Sequence, residues 1–302
     1  EMWVRVLAIA AIAGQAAAFA PMGGLPFGKA PALRAEASTR TTSGASAVTM
    51  MARKPIIAGN WKMNPAGIEE AISLGKGIAE QAKGQDKAEV LLCVPHVFLS
   101  TVVNELKGSN VNIGAQSVYF EDKGVFTGAV STCMVKSVGC KTVLAGHSER
   151  RVIFKNDDTA VNRKVRKILD EGLDCMLCIG ESKEEYEGKL AEAICATQLS
   201  KDLAGVTKEQ MARVQIAYEP VWAIGTGLVC AADDAQKIHE YIRKWLAVLY
   251  DEDVAQSVRV LYGGSVTPDS VDELMSKPDI DGCLVGGASL DAEKFGRIIN
   301  FK

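Results

Sequence analysis

From Lys54 onward, short apolar runs alternate with longer stretches in which apolar residues recur every three or four positions. The runs are Ile56 to Gly59, Val90 to Val94, Val111 to Gly114, Thr142 to Ala145, Cys175 to Ile179, Val214 to Ala217, Val258 to Leu261 and Gly282 to Val285. Between them, Ile68 to Ala82, Val161 to Leu169 and Ala235 to Leu249 carry the spacing of amphipathic helices. Eight strand-like runs alternating with helices over about 250 residues predict a single parallel (β/α)8 barrel. A doubly wound open sheet would give the same alternation. No low-complexity linker interrupts residues 54–302, which read as one domain.

The first 53 residues follow a different pattern. From Met2 to Ala52 the one acidic residue is Glu36, against Arg5, Lys29, Arg34 and Arg40. Arg5 precedes an apolar run from Val6 to Ala13, and Ala16-Ala17-Ala18 then offers small residues for cleavage, so residues 2–18 read as signal-like. The run is too short for a bilayer span. Residues 19–53 are rich in Ser, Thr, Ala and Arg, which is transit-peptide composition. Joined at Ala18-Phe19-Ala20-Pro21, the two parts resemble the bipartite leaders of proteins bound for the stroma of secondary plastids. Plain secretion, a mitochondrial presequence and a mispredicted start (with a cytosolic protein) are the alternatives. Glu1 ahead of Met2 leads to the expectation that the native start differs.

A chain of 302 residues, 48% hydrophobic, is ample for one large core. Its formal charge of -3 gives nucleic-acid binding no electrostatic support. The eight cysteines fall in apolar surroundings and read as small hydrophobes. Cys175 and Cys178 have CxxC spacing, but on a strand they point to opposite faces, which disfavours redox or zinc chemistry there. No metal cluster and no dinucleotide fingerprint is found. Gly225-Thr226-Gly227 lacks the third glycine, and no cofactor is expected.

The segment with most chemical content is Ala217-Tyr218-Glu219-Pro220-Val221-Trp222-Ala223-Ile224-Gly225-Thr226-Gly227. A carboxylate closes an apolar run, and Pro220 biases it towards extended backbone at a strand end. The apolar stretch beyond it suits a lid, Pro220 to Thr226, that excludes water from a site. Glu219 is the candidate general base. His147 is one of three histidines, and it stands before Ser148-Glu149-Arg150, a helix start. Helix-terminal N–H groups disfavour an imidazolium, so a neutral ring is expected. His96 and His239 read as structural or surface residues. Asn60 and Lys62 follow the first run, and Gly-Gly turns follow the seventh and eighth, where barrel enzymes often bind phosphate.

This segment resembles the catalytic-glutamate and lid segment of the triosephosphate isomerase family. Asn60-Trp61-Lys62-Met63-Asn64, Gly146-His147-Ser148-Glu149-Arg150-Arg151, Leu261-Tyr262-Gly263-Gly264-Ser265-Val266 and Leu284-Val285-Gly286-Gly287-Ala288-Ser289 resemble that family's other signatures, in its order and spacing. The likeness covers roughly Lys54 to Lys302. It implies a TIM barrel and a cofactor-free interconversion of glyceraldehyde 3-phosphate and dihydroxyacetone phosphate, a step of glycolysis, gluconeogenesis and, in a plastid, the Calvin cycle. That family is itself the established case of a glutamate base working with a neutral histidine, so the pairing of Glu219 with His147 is an implication of the likeness. The same likeness implies Lys62 as electrostatic anchor, Asn60 as its orienting partner, and Glu149 as the residue holding Lys62 or the histidine region. Gly225, Ser265, Gly286 and Gly287, together with Asn60 and Lys62, would bind the substrate and its phosphate. Cys178 matches a cysteine with a packing role.

The likeness also implies a homodimer, with the loop Gln116 to Gly128 entering the partner and contacts at Thr127, Met63 and Arg150. Ala129 and Asn156 stand where many members carry acids close to the arginine matching Arg150. Arg150 is therefore expected to lack charged partners, leaving a dimer that leans on apolar packing. No membrane contact is expected once the leader is removed. Other readings are a different phosphosugar isomerase or epimerase, and a catalytically silent barrel used as a scaffold.

Overall fold

Along seven of the eight strands, apolar residues alternate between two buried clusters, and this alternation places the functional residues. In a computed structural model that describes residues 53–226 and 228–302, eight parallel strands close into a barrel in sequence order, β8 pairing with β1. The strands are β1 Ile56–Asn60, β2 Glu89–Val94, β3 Val111–Ala115, β4 Thr142–Ala145, β5 Asp174–Ile179, β6 Val214–Tyr218, β7 Arg259–Tyr262 and β8 Gly282–Val285. The open-sheet alternative is thereby excluded. The seventh strand starts one residue later than its apolar run, because Val258 terminates a preceding helical turn by donating to Val254 O. The leader, with its signal-like and transit-like parts, lies outside the described residues apart from Arg53. Arg53 Nε donates to Asp281 Oδ1 at 2.6 Å, just ahead of β8.

Ile56, Ala58, Leu91, Cys93, Leu144, Met176, Cys178, Ala217, Leu261 and Leu284 form one buried cluster, the filling of the barrel. Their neighbours along the strands, such as Ile57, Leu92, Val94, Cys175 and Ile216, belong to the larger layer between strands and helices. A period of two produces this split. Cys175 and Cys178 accordingly fall in different clusters. Burial pushes both thiols up, so neither is a ready nucleophile. Carrying the inward parity two residues beyond Ala58, Ala217, Leu261 and Leu284 brings Asn60, Glu219, Gly263 and Gly286 to the C-terminal mouth.

The helices are α1 Ile68–Gln81, α2 Leu99–Glu105, α3 Thr132–Ser137, α4 Ser148–Val152, α5 Asp158–Asp170, α6 Lys183–Glu187, α7 Ala191–Asp202, α8 Ala232–Leu249, α9 Glu252–Ser257, α10 Val271–Met275 and α11 Ala292–Ile299. Local chemistry sets their starts: Ser131, Asp157, Asp251 and Asp291 each accept a backbone N–H in the first turn, and Ser182 with Glu185 forms a capping box. No helix among the described residues is long and apolar enough to cross a membrane.

Candidate active site

Apart from Glu149, the catalytic candidates meet in a cavity of about 610 Å³ at the mouth, lined among others by Asn60, Lys62, His147, Glu219, Ile224, Gly225, Ser265, Gly286 and Gly287. They come from loops after β1, β4, β6, β7 and β8, as the fold places them.

Glu219 is buried, and both of its oxygens are engaged. Oε2 accepts the Ser148 N–H at 2.7 Å, and Oε1 lies 3.0 Å from His147 Nε2. A Cβ on Gly263 would come within 2.9 Å of Glu219 Cγ, so the glycine is what gives the carboxylate room. On the other side, Glu219 N donates to Ile179 O at 2.7 Å, and a side chain on Gly180 would sit 1.8 Å from Glu219 O. His147 is the N-cap of α4, and its Nδ1 accepts the Glu149 N–H at 3.2 Å. With Nδ1 accepting, the hydrogen-bond network assigns the ring proton to Nε2, which donates to Glu219. The same face of the imidazole therefore holds the base and is aimed into the cavity.

Lys62 Nζ pairs with Glu149 Oε1 at 2.7 Å, while Glu149 Oε2 lies 3.7 Å from His147 Nδ1. Glu149 thus holds the lysine through its carboxylate and the histidine ring through its backbone N–H, the two roles left open by the sequence. Lys62 itself adopts a left-handed backbone, φ 53°. That conformation costs a non-glycine residue about 1–2 kcal/mol. Its hydrogen bonds explain why it persists: Lys62 N donates to Asn60 Oδ1 at 3.0 Å, and Gln116 Nε2 donates to Lys62 O at 2.7 Å, Cys93 O at 3.1 Å and Asn60 Oδ1 at 3.3 Å. Gln116 was not among the expected site residues. A glutamine at a strand end carries no local mark, and only the approach of β3 to β1 across β2 gives it this role.

The lid begins as a 3-10 turn, Val221–Ala223, and only Ile224 and Gly225 of its residues border the cavity. Trp222 does not overhang the substrate space. Its indole is buried, stacks on Tyr186 at 4.0 Å, and donates Nε1–H to Glu181 Oε1 at 2.7 Å. Tyr218 Oη donates to the same oxygen at 3.0 Å. Burial raises the Glu181 carboxyl above its ordinary value, and Glu181 Oε2 has no partner. Thr226 Oγ1 closes the lid's far end by donating to Trp222 O at 2.7 Å. Glu181 is a second positioning residue that sequence reasoning passed over.

Thr127, Met63 and Arg150 lie away from the cavity. Thr127 and Met63 are exposed, Met63 to 96%. Arg150 makes no ion pair among the described residues. Its guanidinium rests on the Phe154 ring at 4.0 Å, and its Nε is buried without a partner. Asn156 accepts from the buried Lys164 Nζ at 2.6 Å. His239 is fully buried on Ala235 O, and burial pushes it down to about 4. His96 is half-buried on Ser117 O. Among the described residues the grouping with metal-ligand spacing is Asp122, Cys133 and Glu171, outside the cavity. Lys167 Nζ already bridges its carboxylates, at 2.6 Å from Asp122 and 2.9 Å from Glu171, which leaves no open ligand set.

A buried carboxylate bonded to a histidine, with an anchored ammonium across one small cavity at a barrel mouth, defines a barrel enzyme of acid–base chemistry on a small polar substrate. Comparison with known proteins narrows this. The sequence model of the family "Triosephosphate isomerase" matches residues 55–302. The curated triosephosphate isomerase of Endomicrobium trichonymphae is 46% identical over 249 residues, which is 82% of this chain and 99% of the relative. Those of Roseiflexus sp. (strain RS-1) and Streptococcus thermophilus are 47% and 48% identical, covering 82% and 83% of this chain and 98% and 99% of the relatives. The chain belongs to the triosephosphate isomerase family.

Proposed function

We propose that the chain interconverts glyceraldehyde 3-phosphate and dihydroxyacetone phosphate through an enediolate, without a cofactor, as a step of glycolysis. The observation that carries this reading is the contact of Glu219 with His147 inside the cavity. Substrate entering between them breaks that bond. Glu219 then takes the proton from the carbon beside the carbonyl, and His147 Nε2–H donates to the oxygen that gains charge. Glu219 returns the proton to the neighbouring carbon, and the hydroxyl proton passes by way of His147 Nε2 to the former carbonyl oxygen, so that the carbonyl is re-formed one carbon along. Lys62 offsets the negative charge, while Ser265 and the backbone at Gly225, Gly286 and Gly287 receive the phosphate. Isomerase turnover of the purified protein beside Glu219→Asp tests this. General-base catalysis contributes about 10²- to 10⁴-fold, so a folded variant is expected to lose a large part of that range in kcat. No conversion by a folded wild type would overturn the assignment and bring the scaffold reading forward.

The protein is further proposed to be a homodimer that joins through the loop after β3. Support comes from exposed apolar residues at this end, Met63, Val97 and Val125, and from Arg150 resting on Phe154 without an acid. Apolar contact of this kind resists salt, so dissociation on raising ionic strength would argue against it. The plastid destination is proposed on leader composition alone. A fluorescent fusion of residues 1–53 that remains cytosolic would remove it.

A further inference from the structure

One basic residue on the rim of the cavity is unused by the reading above. Lys294 borders the cavity beside Leu290 and the Gly286–Gly287–Ala288 backbone. It stands in the first turn of α11, where Asp291 Oδ1 accepts the Glu293 and Lys294 amides at 3.0 Å each. Asp291 is also the one acid within ion-pair reach of Lys294 Nζ among the described residues, at a loose 3.6 Å. The lysine side chain is 63% exposed. Its ammonium therefore stays in solvent at the opening, loosely facing Asp291 Oδ2 while Oδ1 serves the helix start.

The charges around the cavity show what this ammonium does. Lys62 is spent on Glu149 at 2.7 Å, and Glu219 adds a second carboxylate. Without Lys294, these three groups and Asp291 sum to two negative charges facing a substrate that carries a phosphate dianion, and Lys294 removes one of them. A field of the wrong sign at the mouth slows capture of a like-charged ligand, and a cation at the rim weakens that field where the phosphate enters. Lys294 also lies on the side of the opening formed by Gly286 and Gly287, the backbone assigned above to the phosphate.

We infer that Lys294 recruits the substrate's phosphate at the mouth of the cavity, before the backbone at Gly225, Gly286 and Gly287 takes it over. This rests on the phosphate end assigned under the proposed function. The position is a rim position: it sets the rate of capture and leaves the chemical step to Glu219, His147 and Lys62.

The test is kcat and KM for glyceraldehyde 3-phosphate in wild type, Lys294→Ala, Lys294→Arg and Lys294→Glu, from about 20 to 300 mM ionic strength. Lys294→Ala is expected to lose roughly three- to tenfold in kcat/KM at low salt while kcat changes by less than about twofold. The gap closes as salt rises, Lys294→Arg restores it, and Lys294→Glu widens it. Inorganic phosphate is expected to inhibit Lys294→Ala more weakly than wild type at low salt. Equal kcat/KM and equal salt slopes in wild type and Lys294→Ala overturn the inference. So does a loss confined to kcat together with a lowered melting temperature, which would mark Lys294 as a structural residue of the helix start. If wild type shows no turnover at all, the proposed function has failed. Calorimetric binding of inorganic phosphate to wild type and Lys294→Ala then still decides whether the rim cation receives an anion.

Discussion

His147 Nε2 lies 3.0 Å from Glu219 Oε1, while the opposite ring nitrogen accepts the Glu149 N–H at 3.2 Å. The proposed electrophile and the proposed base thus satisfy each other directly inside the cavity. The second bond dictates the first, because an accepting Nδ1 leaves the proton on Nε2. Nitrogen-15 NMR of the ring at pH 7.5 is expected to show a bare Nδ1 and a protonated Nε2. The reverse tautomer would remove the donor and with it the role given to His147. Replacing His147 with Gln is expected to cost about 10²- to 10³-fold in kcat, the size of one lost oxyanion donor.

Gln116 holds the strained backbone of Lys62 through its Nε2 bonds to Lys62 O, Cys93 O and Asn60 Oδ1. Gln116→Leu removes these donors and leaves buried acceptors unpaired, at about 1–3 kcal/mol of stability. The ammonium then loses its fixed position, so KM is expected to rise about tenfold or more. An unchanged KM in a folded variant would show that Lys62 needs no such support.

Glu181 anchors the base of the lid through Trp222 and Tyr218, yet carries one partnerless oxygen in a fully buried position. Its raised carboxyl means the fold favours the protonated form, so the cost of its charge is absent below the unfolded value and grows as pH rises above it. Glu181→Gln keeps the acceptor and removes the charge. The variant's stability relative to wild type is expected to increase by about 1 kcal/mol between pH 4 and pH 7 in denaturant titrations. A difference independent of pH would mean that the charge carries no such cost.

Lys164 is 5% exposed and donates only to neutral oxygens, Asn156 Oδ1 at 2.6 Å and Ser117 Oγ at 3.3 Å. Burial, with Arg150 adding like charge, pushes its ammonium down to about 8 from 10.5. The folded value lies below the unfolded one, so the cost is full below about pH 8 and vanishes above about 10.5. Asn156→Asp supplies the missing carboxylate to a charge that is already buried. It is expected to add about 1–3 kcal/mol at pH 7, with little salt dependence, and to flatten the rise between pH 8 and 10. A loss of stability at pH 7 would show that desolvating the new carboxylate outweighs the pairing.

Much of this protein was legible before any coordinates. Apolar runs marked all eight strands, and Pro220 marked Glu219 as a carboxylate at a strand end. The strand period of two put Cys175 and Cys178 on opposite faces. These are properties of one strand and its neighbours in sequence, which a linear pattern can hold. The strand boundary at Val258 was not legible, because a helix end and a strand start compete there for one apolar residue.

The tertiary structure alone decided which distant groups meet. Lys62 and Gln116 stand 54 positions apart, Trp222 and Glu181 41, and Tyr218 and Glu181 37. None of these pairings follows from residue type or spacing. Each depends on the register at which the strands close into a barrel, and on loops that carry a side chain sideways to the neighbouring strand's end. Lys294 is the same kind of case: in sequence it is one more charged residue on a helix, and only closure of β8 onto β1 sets it at the rim of the cavity. Local periodicity determines the direction a side chain takes from its own backbone, and the closed barrel determines what it finds there.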